Sequence, residues 1–323
     1  MFLAHPSGRP PTAVTSEAES DEAAWLDLQN PTDEERALAE RLTGLRIPTR
    51  MDVEEIESSS RVYMEGQTFY LSTPLVRRGD GLAFTSPLGF VLSADRLVTI
   101  RYTDFPVFET ISGRIAKNSD PHGSEDTMVM LLEGFIDRIA DLLEGSGHDL
   151  DELSARIFRS VEPGDGTSHD RLLRELLQKI GKEAKLASAI RDSLLGLQRI
   201  ILYISDSAER PCHEHLAARL HLLSKDIGSL NDYDSQINNK VQFLLDATLG
   251  FINIEQNNGI KILTVVSIVG IPPTLIASIY GMNFKDIPEL SWSFGYWYAL
   301  ALMGFTIVAP LIWFWRKGWL GGK

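Results

Sequence analysis

Two stretches near the end of the chain, residues 262–280 and 291–315, contain no charged side chain. A helix of roughly 20 apolar residues crosses a hydrocarbon core of about 30 Å, so each stretch is long enough to span one. Buried core helices are the alternative reading. The flanks of the second stretch argue against it, with Trp292, Tyr296, Trp297 and Tyr298 at one end and Trp313, Trp315 and Trp319 at the other. Amphipathic rings at both ends of an apolar helix mark the two membrane interfaces.

Charge then sets the orientation. Lys261 precedes the first stretch, Arg316 and Lys317 follow the second, and the link between them offsets Lys285 with Asp286 and Glu289. Basic residues stay on the cytoplasmic side, which predicts a multi-pass inner-membrane protein with both termini in the cytoplasm. The single cysteine, Cys212, excludes an intramolecular disulfide and agrees with a reducing compartment. A net charge of -13 argues against nucleic acid as a partner, because phosphate binding needs a basic surface.

The rest of the chain divides by pattern. Residues 1–20, with Pro6, Pro10, Pro11 and a Ser/Thr/Glu-rich continuation, lack a signal-peptide core and read as a disordered tail. Residues 21–57 read as helical and acidic, with a turn at Asn30 and Pro31. Between residues 60 and 108, short runs rich in β-branched and aromatic residues alternate with Gly66, Gly79 and Asp95, which predicts several strands joined by tight turns. Residues 21–123 are therefore expected to form an α+β subdomain. From Ser124 the apolar residues recur at three- and four-residue steps, so 124–210 is expected to be a helical subdomain. After Pro211 no proline occurs until Pro272. A stem helix over 211–281 would exceed about 90 Å and could not sit inside a compact globule. Residues 282–294 form the external loop, 295–315 the second span and 316–323 a basic tail.

Two spans cannot enclose a polar path, so transport would need a symmetric ring of chains. In the first span Thr264, Ser267, Ile271, Thr274, Ser278 and Gly281 share one helix face, and the same spacing continues downward through Ile260, Asn257, Asn253 and Asp246. A stripe of hydroxyls, amides and small residues suits a pore wall. Close helix packing in a membrane favours small residues too, and residue types alone leave both readings open.

At the outer end of this span stands Tyr280-Gly281-Met282-Asn283-Phe284, followed by Ile287-Pro288-Glu289-Leu290, with Arg316-Lys317-Gly318-Trp319-Leu320 closing the chain. In this setting the Gly-Met-Asn run resembles the signature of the CorA metal-ion transporter family. The match is close over the last 60 to 80 residues and is one of layout before that. The resemblance implies a funnel-shaped homopentamer, an α+β cytoplasmic domain with long helices, and two C-terminal spans of which the first lines the pore. It also implies magnesium as the transported ion, with cobalt and nickel as further cargo and no resident cofactor.

Magnesium sheds its water reluctantly, so a filter for it should offer acceptors to the hydrated ion. Five copies of Asn283 could supply that ring through hydration waters, with Gly281 permitting close approach or an unusual backbone angle. Helix capping by Asn283 is the competing explanation. By position, the resemblance places a pore-lining hydroxyl on Thr274, hydrophobic gates on Ile271, Leu263 and Ile260, and a polar ring on Asn257. Some members have methionine where Ile271 and Ile260 stand. Asp246 reads either as an acidic funnel ring or as a solvated surface aspartate, and Glu289 as an electrostatic attractor in the external loop.

One position departs from the family pattern. The aspartate that binds regulatory magnesium in some members falls on Leu222, although a small shift would bring Asp226 into play. The related ZntB branch, associated with zinc, shares the Gly-Met-Asn ending, while Ile-Pro-Glu-Leu looks more like the magnesium branch. Cys212, His213, Glu214 and His215 offer only two ligands on one helix face, too few for a closed zinc site. A membrane-anchored, non-conducting protein is the reading from another class. No phosphate-binding glycine loop or nucleophile–base motif suggests an enzyme.

Overall fold

The structure is a computed structural model of the whole chain. It describes all residues except 22, 56, 80–81, 119–121, 160–165, 208–213, 284–287 and 320–323, and leaves undescribed the side chains of 17–18, 58–59, 166–170, 214–215 and 290. Two compact units emerge, Met1–Asp246 and Ala247–Lys323.

The first unit is built on one seven-stranded sheet. In chain order its elements are β1 (Phe2–Ala4), β2 (Thr12–Ala13), α1 (Glu17–Asp21), β3 (Trp25–Gln29), α2 (Asp33–Thr43), α3 (Arg50–Glu54), α4 (Ser58–Arg61), β4 (Val62–Glu65), β5 (Thr68–Arg78), β6 (Ala83–Leu92), β7 (Leu97–Arg101), α5 (Pro106–Lys117), α6 (Ser124–Arg159) and α7 (Gly166–Ser205). The strand order is β2-β1-β3-β7-β6-β5-β4, antiparallel throughout except for the β3–β7 pair.

Side chains alternate along a strand, so the parallel register divides β3 and β7 between two faces. Leu26 and Leu28 lie beside Val98 and Ile100, in a core with Phe2, Ala39 and Ile47. On the other face Asp27 and Arg101 form a buried ion pair at 3.0 Å, while Thr99 accepts from Trp25 Nε1 and donates to Asp27. Burial pushes the Asp27 carboxyl up, and Arg101 opposes it.

Residues 1–20 are not a disordered tail. Phe2 and Ala4 pair with Leu28 and Leu26 and are 3% and 0% exposed, and His5 stacks on Trp25 at 3.8 Å. Pro6, Pro10 and Pro11 occupy the β1–β2 connection, where the missing N–H groups break no ladder bond. Nor is the stretch from 21 helical throughout, since five residues of it form β3. The helix expected there begins later, as α2, under a capping box of Thr32 and Glu35. Residues 21–123 and 124–210, expected as two subdomains, share one unit: Phe90 of β6 and Phe105 and Phe108 from the α5 end all contact Phe135 of α6.

One helix, α8 (Glu214–Tyr280), runs for 67 residues, about 100 Å at 1.5 Å per residue. It is followed by a short 3-10 turn (Pro288–Ser291) and by α9 (Gly295–Arg316). Both helices are long and apolar enough to cross a membrane, and the chain itself buries only 6% and 11% of their apolar windows. A soluble core helix would be covered by its own chain, so that alternative fails here.

Candidate functional site

The polar stripe lies on α8 as two heptad rows. One is Asp246, Asn253, Ile260, Ser267 and Thr274, its spacing reaching Gly281 just past the helix end; the other is Asn257, Thr264, Ile271 and Ser278. A straight α-helix drifts about 20° per heptad, so a row kept this long faces a partner only if several helices coil together. Leu263 falls beside the rows, not in them.

Ile260, Leu263 and Ile271 are 61%, 66% and 64% exposed in the single chain. Asp246 is also exposed, and Gln242 Nε2 donates to its Oδ1 at 3.1 Å. Asn253 and Asn257 are exposed as well.

All four hydroxyls of the stripe donate back to the helix. Thr264 reaches the carbonyl of Ile260, Ser267 that of Leu263, Thr274 that of Gly270 and Ser278 that of Thr274, each at 2.8 Å. In hydrocarbon a polar group needs an internal partner, and this bond supplies it. It also fixes what each side chain offers outward. With its proton committed to the backbone, the oxygen presents only lone pairs. Residue types alone could not show this; the four-residue geometry does.

The helix ends through its backbone. Gly281 N–H donates to Ala277 O at 2.9 Å and Met282 N–H to Ile279 O at 3.3 Å. Gly281 is not among the glycines with positive φ, so the unusual-angle explanation for it fails. A Cβ there would lie 3.1 Å from the Ala277 oxygen, the carbonyl that Gly281 N–H already bonds, and would meet nothing closer. The Met282 side chain is half exposed. Asn283 is exposed, and its amide makes no hydrogen bond among the described residues. An asparagine that ends a helix adopts the left-handed conformation, and Asn283 is not among the described residues with positive φ.

Beyond the undescribed residues 284–287, Glu289 sits half-buried in the 3-10 turn. The Glu289 carbonyl accepts from Trp292 N–H at 3.2 Å, and a Cβ on Gly295 would overlap that carbonyl. Gly295 thus lets the turn close onto the start of α9. At the other end of α9, Trp319 N–H reaches Phe314 O at 2.9 Å and Gly318 N–H reaches Trp315 O at 3.0 Å, with Gly318 at φ 74°. This is a Schellman cap, and its usual hydrophobic contact is the Phe314–Trp319 stack at 5.2 Å. Arg316 and Lys317 then lie at the negative end of the helix dipole.

Leu222 and Asp226 are both exposed on α8. Among the described residues no group of three or more His, Cys, Asp or Glu side chains is placed to hold a metal. Cys212 and His213, and the side chains of Glu214 and His215, lie outside the described residues.

The family model described as CorA-like Mg2+ transporter protein matches residues 20–317. The magnesium transport protein CorA of Escherichia coli (strain K12) is 36% identical over 302 residues, covering 92% of each chain. Its namesake from Salmonella typhimurium (strain LT2) is 36% identical over 303 residues, covering 93% of this chain and 92% of that protein. Among solved structures, the complete CorA magnesium transporter from Methanocaldococcus jannaschii has a TM-score of 0.75 at 21% identity over 99% of both chains. The full-length CmaX protein has a TM-score of 0.68 at 16% identity, over 98% of this chain and 95% of that one. Both are likenesses of fold.

Proposed function

The chain belongs to the CorA-like Mg2+ transporter family, and on that premise we propose that it passes magnesium across an inner membrane through a pore lined by α8 from five copies. The chains form a homopentamer with both termini in the cytoplasm. The Met1–Asp246 unit is cytoplasmic, and the turn bearing Glu289 faces outside.

The observation that carries this reading is the direction of the hydroxyl hydrogen bonds along α8. Magnesium keeps several of its waters when it binds. Those waters point their oxygens at the ion and their hydrogens outward. A wall for the hydrated ion must therefore accept hydrogen bonds, and lone pairs are what Thr264, Ser267, Thr274 and Ser278 present. Asn283 adds five amide oxygens at the mouth, and Gly281 lets the chain turn there without a side chain in the way. Glu289 raises the local cation concentration by its charge. Lower down, Ile271 and Ile260 narrow the path to an apolar constriction that gates by dewetting. Leu263 flanks that constriction. Asn257 and Asn253 form polar rings below it, and Asp246 an acidic one.

Proteoliposomes containing the full chain and a magnesium- or zinc-sensitive dye test the reading, with and without a proton gradient. Magnesium entry independent of the gradient is expected. Zinc entry that follows the gradient would place the chain with proton-coupled zinc carriers, and flux of neither ion would make it a non-conducting membrane protein.

A further inference from the structure

Within the Met1–Asp246 unit a cavity of about 130 Å³ opens between the end of β5, the start of α5 and the middle of α6. Its walls are apolar, with Leu75, Phe105, Phe135 and Ile139 each no more than 3% exposed. Three arginines, Arg77, Arg78 and Arg138, complete the lining, and no carboxylate among the described residues joins them.

The three guanidinium groups are unequally neutralised. Arg78 reaches Asp149 at 3.4 Å and Glu183 at 4.0 Å. Among the described residues Arg138 has only Asp141, on its own helix, at 3.9 Å. Arg77 is half-buried, and its side chain makes no ion pair or hydrogen bond among the described residues. Alternation along β5 puts Arg77 on the same face as Leu75. A guanidinium cannot lose its proton, and holding one against apolar walls without a counter-charge costs free energy.

An apolar chamber edged by three arginines, of which Arg77 has no carboxylate partner among the described residues, suits a molecule with an apolar body and an anionic head. The arginine fork matches a carboxylate with two parallel hydrogen bonds. Size narrows the class further. At about 10–15 Å³ for each water-sized occupant, the chamber holds on the order of ten heavy atoms. We propose that this cavity is a binding site for a small amphipathic carboxylate, an aryl or short alkyl acid whose head pairs with Arg77 and whose body lies against Phe105, Phe135 and Ile139. Such a ligand bridges β5 to α6 and stabilises the first unit by mass action. The inference is independent of ion conduction.

The test uses the full chain in detergent and 4-fluorophenylacetate as the probe, followed by its fluorine NMR linewidth against empty micelles. The line should broaden with protein, sharpen again with excess unlabelled phenylacetate, and show at least tenfold weaker binding in Arg77→Gln. Arg138→Gln should weaken binding less. Both variants are first checked for an unchanged thermal midpoint, and whichever keeps it carries the comparison. The proposal is overturned by broadening no greater than in empty micelles, or by undiminished binding in the variants. It also fails if neutral 4-fluorobenzyl alcohol binds as tightly as the acid, or if inorganic phosphate displaces the probe equally well.

Discussion

The two units satisfy the same chemical needs in opposite ways. In the first, large apolar side chains such as Trp25, Phe90 and Phe135 are at most 1% exposed, covered by their own chain. In the second, Ile262, Trp297, Phe305 and Trp315 are 68% to 70% exposed. Polar groups show the same split. Asp27 finds Arg101 across 74 positions of sequence, and Asp234 finds Arg191 across 43. The hydroxyls of α8 find their partners four residues away. One unit is closed by long-range contacts. The other closes the hydroxyls of α8 within that helix and leaves its apolar side chains uncovered by its own chain.

That contrast can be broken at several points. The largest expected effect is Phe135→Ala, which opens a cavity under the sheet and should cost about 3–5 kcal/mol. Hydrogen exchange in β6 and β7 measures it, and an unchanged rate would remove the claim that α6 and the sheet share one core. The next concerns His5, which burial, with Arg101 adding to it, holds neutral at a pKa lowered to about 3 from 6.5. Between those two values the unfolded chain binds a proton that the folded chain does not. Stability contributed by neutral His5 is therefore present above pH 6.5 and lost as the pH falls toward 3, at up to about 1.4 kcal/mol per pH unit. Unfolding midpoints of the full chain at pH 7, 6 and 5 should fall, and His5→Gln should flatten the decline. If the slope is the same in both, the first strand is not part of the cooperative core.

Smaller effects are expected on α8. Thr274→Val removes one acceptor from each of the five copies and should lower magnesium flux at least two- to tenfold, the range set by the loss of a single net hydrogen bond of ~0.5–1.5 kcal/mol. Ile271→Ala should change the stability of the first unit by less than about 0.5 kcal/mol, as a substitution outside its packing does. The same variant should raise resting flux if that ring gates by dewetting, and unaltered flux would place the gate elsewhere.

The contrast also governs what could be read in advance. The two spans are legible because absence of charge over 19 or more residues is a local property. So is the Gly281-Met282-Asn283 ending. Strand β1 escaped because three prolines and a polar run follow a short apolar segment, Phe2-Leu3-Ala4, whose role depends on Leu26 and Leu28 further along the chain. Strand β3 was hidden by its acidic flanks. The Arg77 cavity needs β5, α5 and α6 brought together, and no periodicity announces that. On α8 the sequence named the hydroxyls, but whether their protons or their lone pairs face outward is a matter of geometry.

The most direct test of the central claim is magnesium entry into proteoliposomes bearing the full chain, wild type against Asn283→Ala at equal reconstitution. The account predicts rapid entry in the wild type and its loss in the variant, with the unfolding of the first unit unchanged. Equal magnesium entry through both proteins would contradict it, because the Asn283 amide would then take no part in passing the ion.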